Sequence, residues 1–77
     1  MNEQHLIEMA NRIGEFFESM PDHDEALAGI ADHIRRFWEP RMRRAILRVL
    51  DTDDARALRE IVRDSLGSYR AELTPAT

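Results

Sequence analysis

The sequence contains no cysteine, no lysine, three isolated glycines, three prolines and few aromatic side chains among its 77 residues. Without cysteine the chain has no disulfide framework, no thiolate metal ligand and no thiol nucleophile. Isolated glycines exclude a glycine-rich loop that would cradle a phosphate group. No apolar run is long enough to span a bilayer, and the first residues lack the basic flank of a signal peptide. We therefore expect a cytoplasmic protein that does not enter membranes.

Because lysine is absent, all eleven basic side chains are arginines, whose planar guanidinium groups bind carboxylates or phosphates in a bidentate manner. A genome rich in G and C would produce the same bias, so arginine usage alone does not identify an interface. The formal net charge is −4. Residues 35–48 carry six arginines and one acid, a local charge of +5, so the rest of the chain carries −9.

A composition of 43% apolar and 34% charged residues is typical of a globular protein, and 77 residues suffice for one small domain. We place this domain at residues 1–73 and expect a frayed C-terminal tail at residues 74–77. Such a short chain buries a modest fraction of its surface, so we expect its stability to depend on a partner.

Apolar residues recur at helical spacing in two N-terminal segments. Asn2 and Asp22 are the predicted N-caps of the two helices, which end near Ser19 and Trp38. At an offset of 21 residues the two apolar stripes correspond: Leu6 with Leu27, Met9 with Ile30, Ala10 with Ala31, Ile13 with Ile34, Phe16 with Phe37, and Phe17 with Trp38. We expect an antiparallel hairpin of these helices, with their aromatic ends at opposite poles.

Pro40 is predicted to be the first residue of a third helix, after a sharp corner, because proline is favoured at the first helical position. Arg41, Arg44 and Arg48 project outward from this helix, opposite an apolar face of Met42, Ala45, Ile46, Val49 and Leu50. A fourth helix is predicted at about residues 53–66, capped by Asp51 or Thr52. The predicted fold is therefore an all-α bundle of four helices.

Residues 33–44 combine the single tryptophan with a phenylalanine, a proline and five arginines, a composition typical of recognition surfaces rather than catalytic sites. We predict a partner-binding surface made of His33, Arg35, Arg36, Phe37, Trp38, Pro40, Arg41, Met42, Arg43 and Arg44. Phe37 and Trp38 also continue an apolar stripe, so a place in the core is equally consistent with their spacing.

Residue types that carry chemistry are otherwise sparse. The three histidines are scattered, and the Asp22-His23-Asp24 cluster is explained as a helix cap, so no metal site is predicted. No serine or threonine lies in a nucleophile motif, and we predict neither catalytic nor cofactor-binding residues. Asn11, beside Ala10, needs polar partners if it is buried.

Three blocks of the sequence closely resemble the delta subunit of the soluble, NAD-dependent, molybdenum- or tungsten-containing formate dehydrogenases. They are Met9-Ala10-Asn11-Arg12-Ile13, Phe16-Phe17, and residues 30–43 around Phe37-Trp38-Glu39-Pro40-Arg41-Met42. The resemblance covers about residues 6–50. Two positions depart from the family pattern: Arg12 stands where glutamine is usual, and Glu39 where aspartate is usual.

The resemblance implies an accessory subunit that is not itself an enzyme. It would bind the catalytic alpha subunit and, through it, the beta and gamma subunits, and would support assembly, cofactor insertion or stability of the complex. The pterin cofactor with molybdenum or tungsten, the iron–sulfur clusters and FMN are expected in the partner subunits, with no cofactor in this chain.

Two other functions are consistent with parts of the sequence. A small nucleic-acid-binding module could use the arginine-rich segment 35–48, although the net acidity and the inward-facing aromatic stripe argue against nucleic acid as a partner. A homo-oligomer of the isolated chain would cover the apolar stripes by self-association, and this possibility is compatible with an accessory subunit.

Overall fold

The computed structural model describes residues 2–76 and contains helices but no strand among them. The helices are α1 (Glu3–Phe17), α2 (His23–Phe37), α3 (Pro40–Leu50), a 3-10 helix (Asp53–Ala57), α4 (Glu60–Ser68) and α5 (Arg70–Leu73). They surround one core, and the radius of gyration is 11.2 Å. The predicted all-α bundle is confirmed.

Polar side chains cap the first two helices at the predicted residues. The side-chain oxygen of Asn2 accepts hydrogen bonds from the backbone N–H groups of Gln4, at 2.9 Å, and His5, at 3.3 Å. The Asp22 carboxylate accepts one from the N–H of Glu25 at 3.1 Å. Each bond satisfies a backbone donor that has no partner within the helix, which stabilises a helix by about 1 kcal/mol.

α1 and α2 pack side by side with opposed directions. The ring of Phe17, the last residue of α1, lies beside Gly29, where a Cβ atom would collide with it. Arg12, earlier in α1, lines a groove together with His33, later in α2. Because Gly29 lies near the middle of α2, the aromatic end of α1 lies against that middle. The predicted placement of the aromatic ends at opposite poles is therefore wrong for the end of α1.

Side chains of all five α-helices form the core, together with Trp38 between α2 and α3 and Leu58 between the 3-10 helix and α4. Its buried apolar residues are Leu6, Ile7, Ala10, Ala26, Ile30, Ala31, Ile34, Trp38, Ile46, Leu47, Val49, Leu58, Ile61, Val62, Leu66 and Leu73. Ile7, Ala26 and Leu47 lie outside the predicted stripes, because α1, α2 and α3 each contact several neighbouring helices. Gly14 also faces α4, where a Cβ atom would come within 2.5 Å of Val62.

The prediction of one continuous helix at residues 53–66 is wrong. Thr52 caps a 3-10 helix at Asp53–Ala57, and Leu58 and Arg59 then adopt extended backbone angles before α4 begins. The break carries the Leu58 side chain into the core, where it is 2% exposed. Burial of this side chain is worth about 2 kcal/mol, which offsets part of the cost of interrupting the helix.

Asn11 binds the backbone on both sides of this break. Its Nδ2 atom donates to the carbonyl of Ala57 at 2.9 Å, and its Oδ1 atom accepts from the N–H of Arg59 at 2.9 Å. The Nη1 atom of Arg63 donates to the carbonyl of Leu58 at 2.6 Å. These side chains satisfy backbone groups that a continuous helix would satisfy internally. They supply the polar partners that a partly buried Asn11 requires.

The last helix, α5, brings Leu73 into the core, where it is 1% exposed. At the start of α5 the guanidinium of Arg70 donates to both carboxylate oxygens of Asp51, just after α3, with 3.0 Å between Nη1 and Oδ1. This hydrogen-bonded ion pair lowers the pKa of Asp51 and raises that of Arg70. Of the predicted tail at residues 74–77, residue 77 lies outside the described part of the chain.

Candidate functional site

Two residues form the corner between α2 and α3. Trp38 closes α2, its N–H donating to the carbonyl of Ile34 at 2.9 Å, and its backbone is extended, with φ −94° and ψ 136°. Glu39 is extended as well, and Pro40 opens α3 as predicted. A proline disfavours helical angles in the residue before it, so α2 cannot continue into α3. We call residues 33–44 the Pro40 corner.

The two adjacent aromatic residues at this corner have opposite environments. Trp38 is 5% exposed and belongs to the core, whereas Phe37 is 70% exposed. Trp38 lies four residues after the buried Ile34, on the same face of α2, whereas Phe37 lies beside His33 at the edge of that face. From the sequence, a place in the core and a place in the interface were equally consistent for both residues. The structure assigns Trp38 to the core and leaves Phe37 on the surface.

Four exposed arginines flank Phe37 in the chain. Arg35 and Arg36 both pair with Asp32, at 3.5 Å and 3.1 Å, on the exposed side of α2. Arg41 and Arg44 are exposed on α3. Exposed ion pairs of this kind contribute at most about 1 kcal/mol, so Arg35 and Arg36 can exchange Asp32 for a partner's carboxylate at little cost.

Two of the predicted partner-binding residues contribute less to the surface. Met42 is partly buried and packs against the core. Arg43 is also partly buried, and its Nε atom is buried without a hydrogen-bond partner among residues 2–76. An unpaired buried donor destabilises a fold by about 1–3 kcal/mol. Pro40 is exposed at the apex of the corner, where it can contact a partner directly.

An apolar groove lies between α1 and α2 next to the corner. Its walls are Arg12, Ile13, Phe16, Phe17 and His33, and its volume is about 450 Å³. The rings of Phe16 and Phe17 meet edge to face, with centroids 5.1 Å apart, and Phe16 is 73% exposed. We call these five residues the aromatic groove.

His33 connects the aromatic groove to the Pro40 corner. It is partly buried, and its ring centroid lies 4.9 Å from that of Phe37 at an interplanar angle of 45°. On its other side it lines the groove with Phe16. Of the groove residues, sequence analysis predicted only His33 as a surface residue. The repeat of 21 residues contained the missing signal, because it aligns Phe16 with Phe37, and both are exposed.

The described residues form neither a metal-binding cluster nor a membrane-spanning helix. Between residues 2 and 76 no group of three or more His, Cys, Asp or Glu side chains is placed to hold a metal ion. Within the same range no helix has the length and apolar character needed to cross a membrane. The Asp22 carboxylate is used as a helix cap, as predicted.

Residues 5–66 match the family described as NADH-dependent formate dehydrogenase delta subunit FdsD. The chain belongs to this family. The match confirms the resemblance seen in residues 6–50 and extends it through the helix break into α4. Searches among curated proteins and among solved structures gave no match.

Membership of the FdsD family identifies the chain as a small subunit of a formate dehydrogenase complex. The matched range contains the whole Pro40 corner and all five residues of the aromatic groove. Both surfaces therefore lie in the part of the chain that defines the family.

Proposed function

We propose that this delta subunit is a non-catalytic accessory subunit that binds the catalytic alpha subunit through the Pro40 corner. The observation that carries the proposal is the exposure of Phe37, at 70%, in a segment that also carries exposed arginines and is matched to the family. A large exposed ring in an arginine-rich segment is typical of an interface hot spot. The complementary surface would be an apolar pocket bordered by carboxylates.

Binding would stabilise the partner by mass action. A subunit that binds the assembled or cofactor-loaded alpha subunit more tightly than the empty one shifts the equilibrium towards the loaded state. The metal–pterin cofactor, the iron–sulfur clusters and FMN would reside in the partner subunits. In this mechanism the delta subunit contributes binding energy and no reacting group.

The double variant Phe37→Ala, Arg41→Ala tests the proposed interface. Both side chains are exposed, so their removal leaves the core intact, whereas Trp38 is buried and its substitution would unfold the chain. We expect the double variant to be lost from co-purification with a tagged alpha subunit. Arg56→Ala, an exposed arginine on the 3-10 helix, is the matched control and should co-purify normally. Unchanged co-purification of the double variant would place the interface elsewhere.

The proposed role can be tested separately from the interface. Formate dehydrogenase prepared from cells that lack this chain should have a lower molybdenum or tungsten content, a lower activity or a lower thermal stability. Enzyme that is fully active, fully loaded with metal and of normal stability would contradict a role in assembly, cofactor insertion or stability.

A further inference from the structure

The aromatic groove and Phe37 form one strip across α1 and α2. Phe16 is 73% exposed and Phe37 70% exposed, and His33 lies between them. Phe17 lies beside Gly29, and Phe37 comes eight residues later on α2. Eight helical residues correspond to a rise of about 12 Å, so the strip extends about two helical turns along α2. The proposed corner accounts for His33 and Phe37 and not for the residues of α1 in this strip.

The exposed apolar area is too small to form an interface alone. Two phenylalanine rings exposed at 73% and 70% offer on the order of 300 Å² between them. A stable interface takes about 800 Å² from each partner. Whatever covers the strip must therefore also contact its charged margins.

Two exposed arginines lie at the margin of the strip. Arg12, on the wall of the groove with His33, forms no ion pair within residues 2–76, and Arg41 is exposed four residues after Phe37 in the chain. The acids that follow on α1, Glu15 and Glu18, are already paired with Arg59, at 3.2 Å and 3.0 Å. The strip is thus apolar along its length, with the positive charge of Arg12 at its margin.

This charge pattern disfavours a second copy of the chain as the occupant. A two-fold symmetric contact brings the same patch of each copy together, so the strips would meet with their arginines close to one another. Like charges at an interface are destabilising. A partner with an apolar ridge and carboxylates beside it complements both the rings and the guanidinium groups.

We infer that the aromatic groove binds one amphipathic helix of the alpha subunit, an inference that rests on the proposed function. One apolar side chain of that helix enters the groove beside Phe16 and His33, and a carboxylate of the same helix pairs with Arg12. A second apolar side chain, seven or eight residues along, contacts Phe37, because two helical turns span the distance of about 12 Å. The groove volume of about 450 Å³ is large enough to admit a large aliphatic or aromatic side chain.

Photo-crosslinking in the purified complex tests which molecule occupies the strip. A photoreactive phenylalanine analogue is placed at position 16 in one preparation and at position 37 in another, and the crosslinked peptides are mapped by mass spectrometry. We expect both positions to crosslink to a single helix of the alpha subunit, about seven or eight residues apart, with Asp or Glu between or beside the sites. Crosslinking of position 16 to a second copy of this chain, to a segment without a carboxylate, or to nothing would overturn the inference.

Affinity measurements separate the groove from the corner. Phe16→Ala and Arg12→Glu should each weaken binding of the purified alpha subunit at least about tenfold, while the control Arg56→Glu should bind normally. If Phe37→Ala, Arg41→Ala loses binding and both groove variants keep it, the groove inference is overturned and the proposed function stands. If all of these variants bind normally, the corner interface of the proposed function is overturned together with the inference.

Discussion

The side chain of Asn11 hydrogen-bonds α1 to the backbone at the break before α4. It donates to the carbonyl of Ala57 and accepts from the N–H of Arg59, each at 2.9 Å. A primary amide has both a donor and an acceptor at one position, whereas a carboxylate only accepts and an aliphatic side chain does neither. The two extended residues between the 3-10 helix and α4 are thus linked to a residue at the centre of α1.

Asn11→Ala should lower the free energy of unfolding by about 1–2 kcal/mol, because it leaves one donor and one acceptor of the backbone without partners. Urea denaturation of the isolated chain measures the change. Arg12→Ala, the exposed neighbour, is the matched control and should change little. Asn11→Asp retains the acceptor but sets a carboxylate oxygen against the carbonyl of Ala57, so it should also be less stable than the natural chain. A loss for Asn11→Ala no larger than for Arg12→Ala would show that these bonds contribute no net stability.

The different environments of Phe37 and Trp38 could not be predicted from their spacing. Neighbouring residues of a helix point about 100° apart, and spacing alone does not show how wide a face the other helices cover. The covered face includes Trp38, four residues after the buried Ile34, and stops short of Phe37, which lies beside His33. Pro40 indicated that the helix must end here, but it did not indicate on which side of the end each ring would lie.

At the scale of helices, α3 begins without a side-chain cap. Glu39 occupies the N-cap position with extended backbone angles, but its carboxylate accepts no hydrogen bond from the first turn of α3. Aspartate is among the best N-cap residues, because its shorter side chain reaches the backbone N–H groups two and three residues on. The start of α3 therefore depends on Pro40 and on packing.

Glu39→Asp should raise the free energy of unfolding by about 0.5–1 kcal/mol by supplying that cap. Thermal and urea denaturation of the isolated chain measure the gain. Glu39→Gln keeps the length of the side chain and removes its charge, so it should bring no comparable gain. Equal stability of the Asp variant and the natural chain would mean that the first turn of α3 is fixed by packing alone.

The ion pair between Asp51 and Arg70 joins the end of α3 to the start of α5. The hydrogen bonds from Arg70 hold the pKa of the Asp51 carboxyl below its ordinary value of 3.8. A carboxyl whose pKa is lower in the folded state stabilises the fold above its unfolded pKa. That contribution disappears as the pH falls through the folded pKa. Both side chains are exposed, and salt should weaken their attraction.

Asp51→Asn should therefore be less stable than the natural chain at neutral pH, and the difference should vanish at pH values well below 3.8. Urea denaturation of both chains across this range measures it. Asp64→Asn, on the exposed side of α4, is the matched control and should show a smaller difference at neutral pH. A difference for Asp51→Asn that stays constant with pH would mean that the pair contributes nothing through its charge.

The first three helices could be predicted well because their limits depend on nearby residues. Asn2, Asp22 and Pro40 act within three residues of the helix starts that they specify. The break before α4 has a distant cause, since Asn11 is 46 residues from Ala57 in the chain. Local periodicity over residues 53–66 carried no sign of a contact with α1.

At the scale of the whole molecule, one core unites the helices. Trp38 is 5% exposed in this core, and Leu73 of the last helix is 1% exposed in the same core. No described helix buries its apolar face in a separate cluster. The chain is therefore expected to unfold as one unit.

Circular dichroism at the helical signal and the fluorescence of Trp38 should give the same urea midpoint, because a single core makes unfolding two-state. Circular dichroism reports all helices, whereas Trp38 is the single tryptophan and reports the corner. A fluorescence midpoint clearly below the helical midpoint would show that α2 and α3 separate before the rest unfolds.

The Pro40 corner could be predicted as a surface from the sequence, and the aromatic groove could not. The corner residues are contiguous, so their composition was visible directly in residues 33–44. The groove exists because Phe17 lies beside Gly29, which fixes the stagger of α1 against α2. Gly29 is the single glycine of α2, but the sequence does not indicate which neighbouring side chain would pack against it.

The exposure of Phe16 and Phe37, at 73% and 70%, also bears on how much of this subunit a cell would retain. A copy made in excess of its partner would keep both rings in water, and exposed apolar side chains promote aggregation. Chaperones and proteases continuously remove such unprotected chains. If the proposed interface covers the same rings, a copy within the complex would escape removal. The amount of this subunit would then follow the amount of its partner without any regulation of its synthesis.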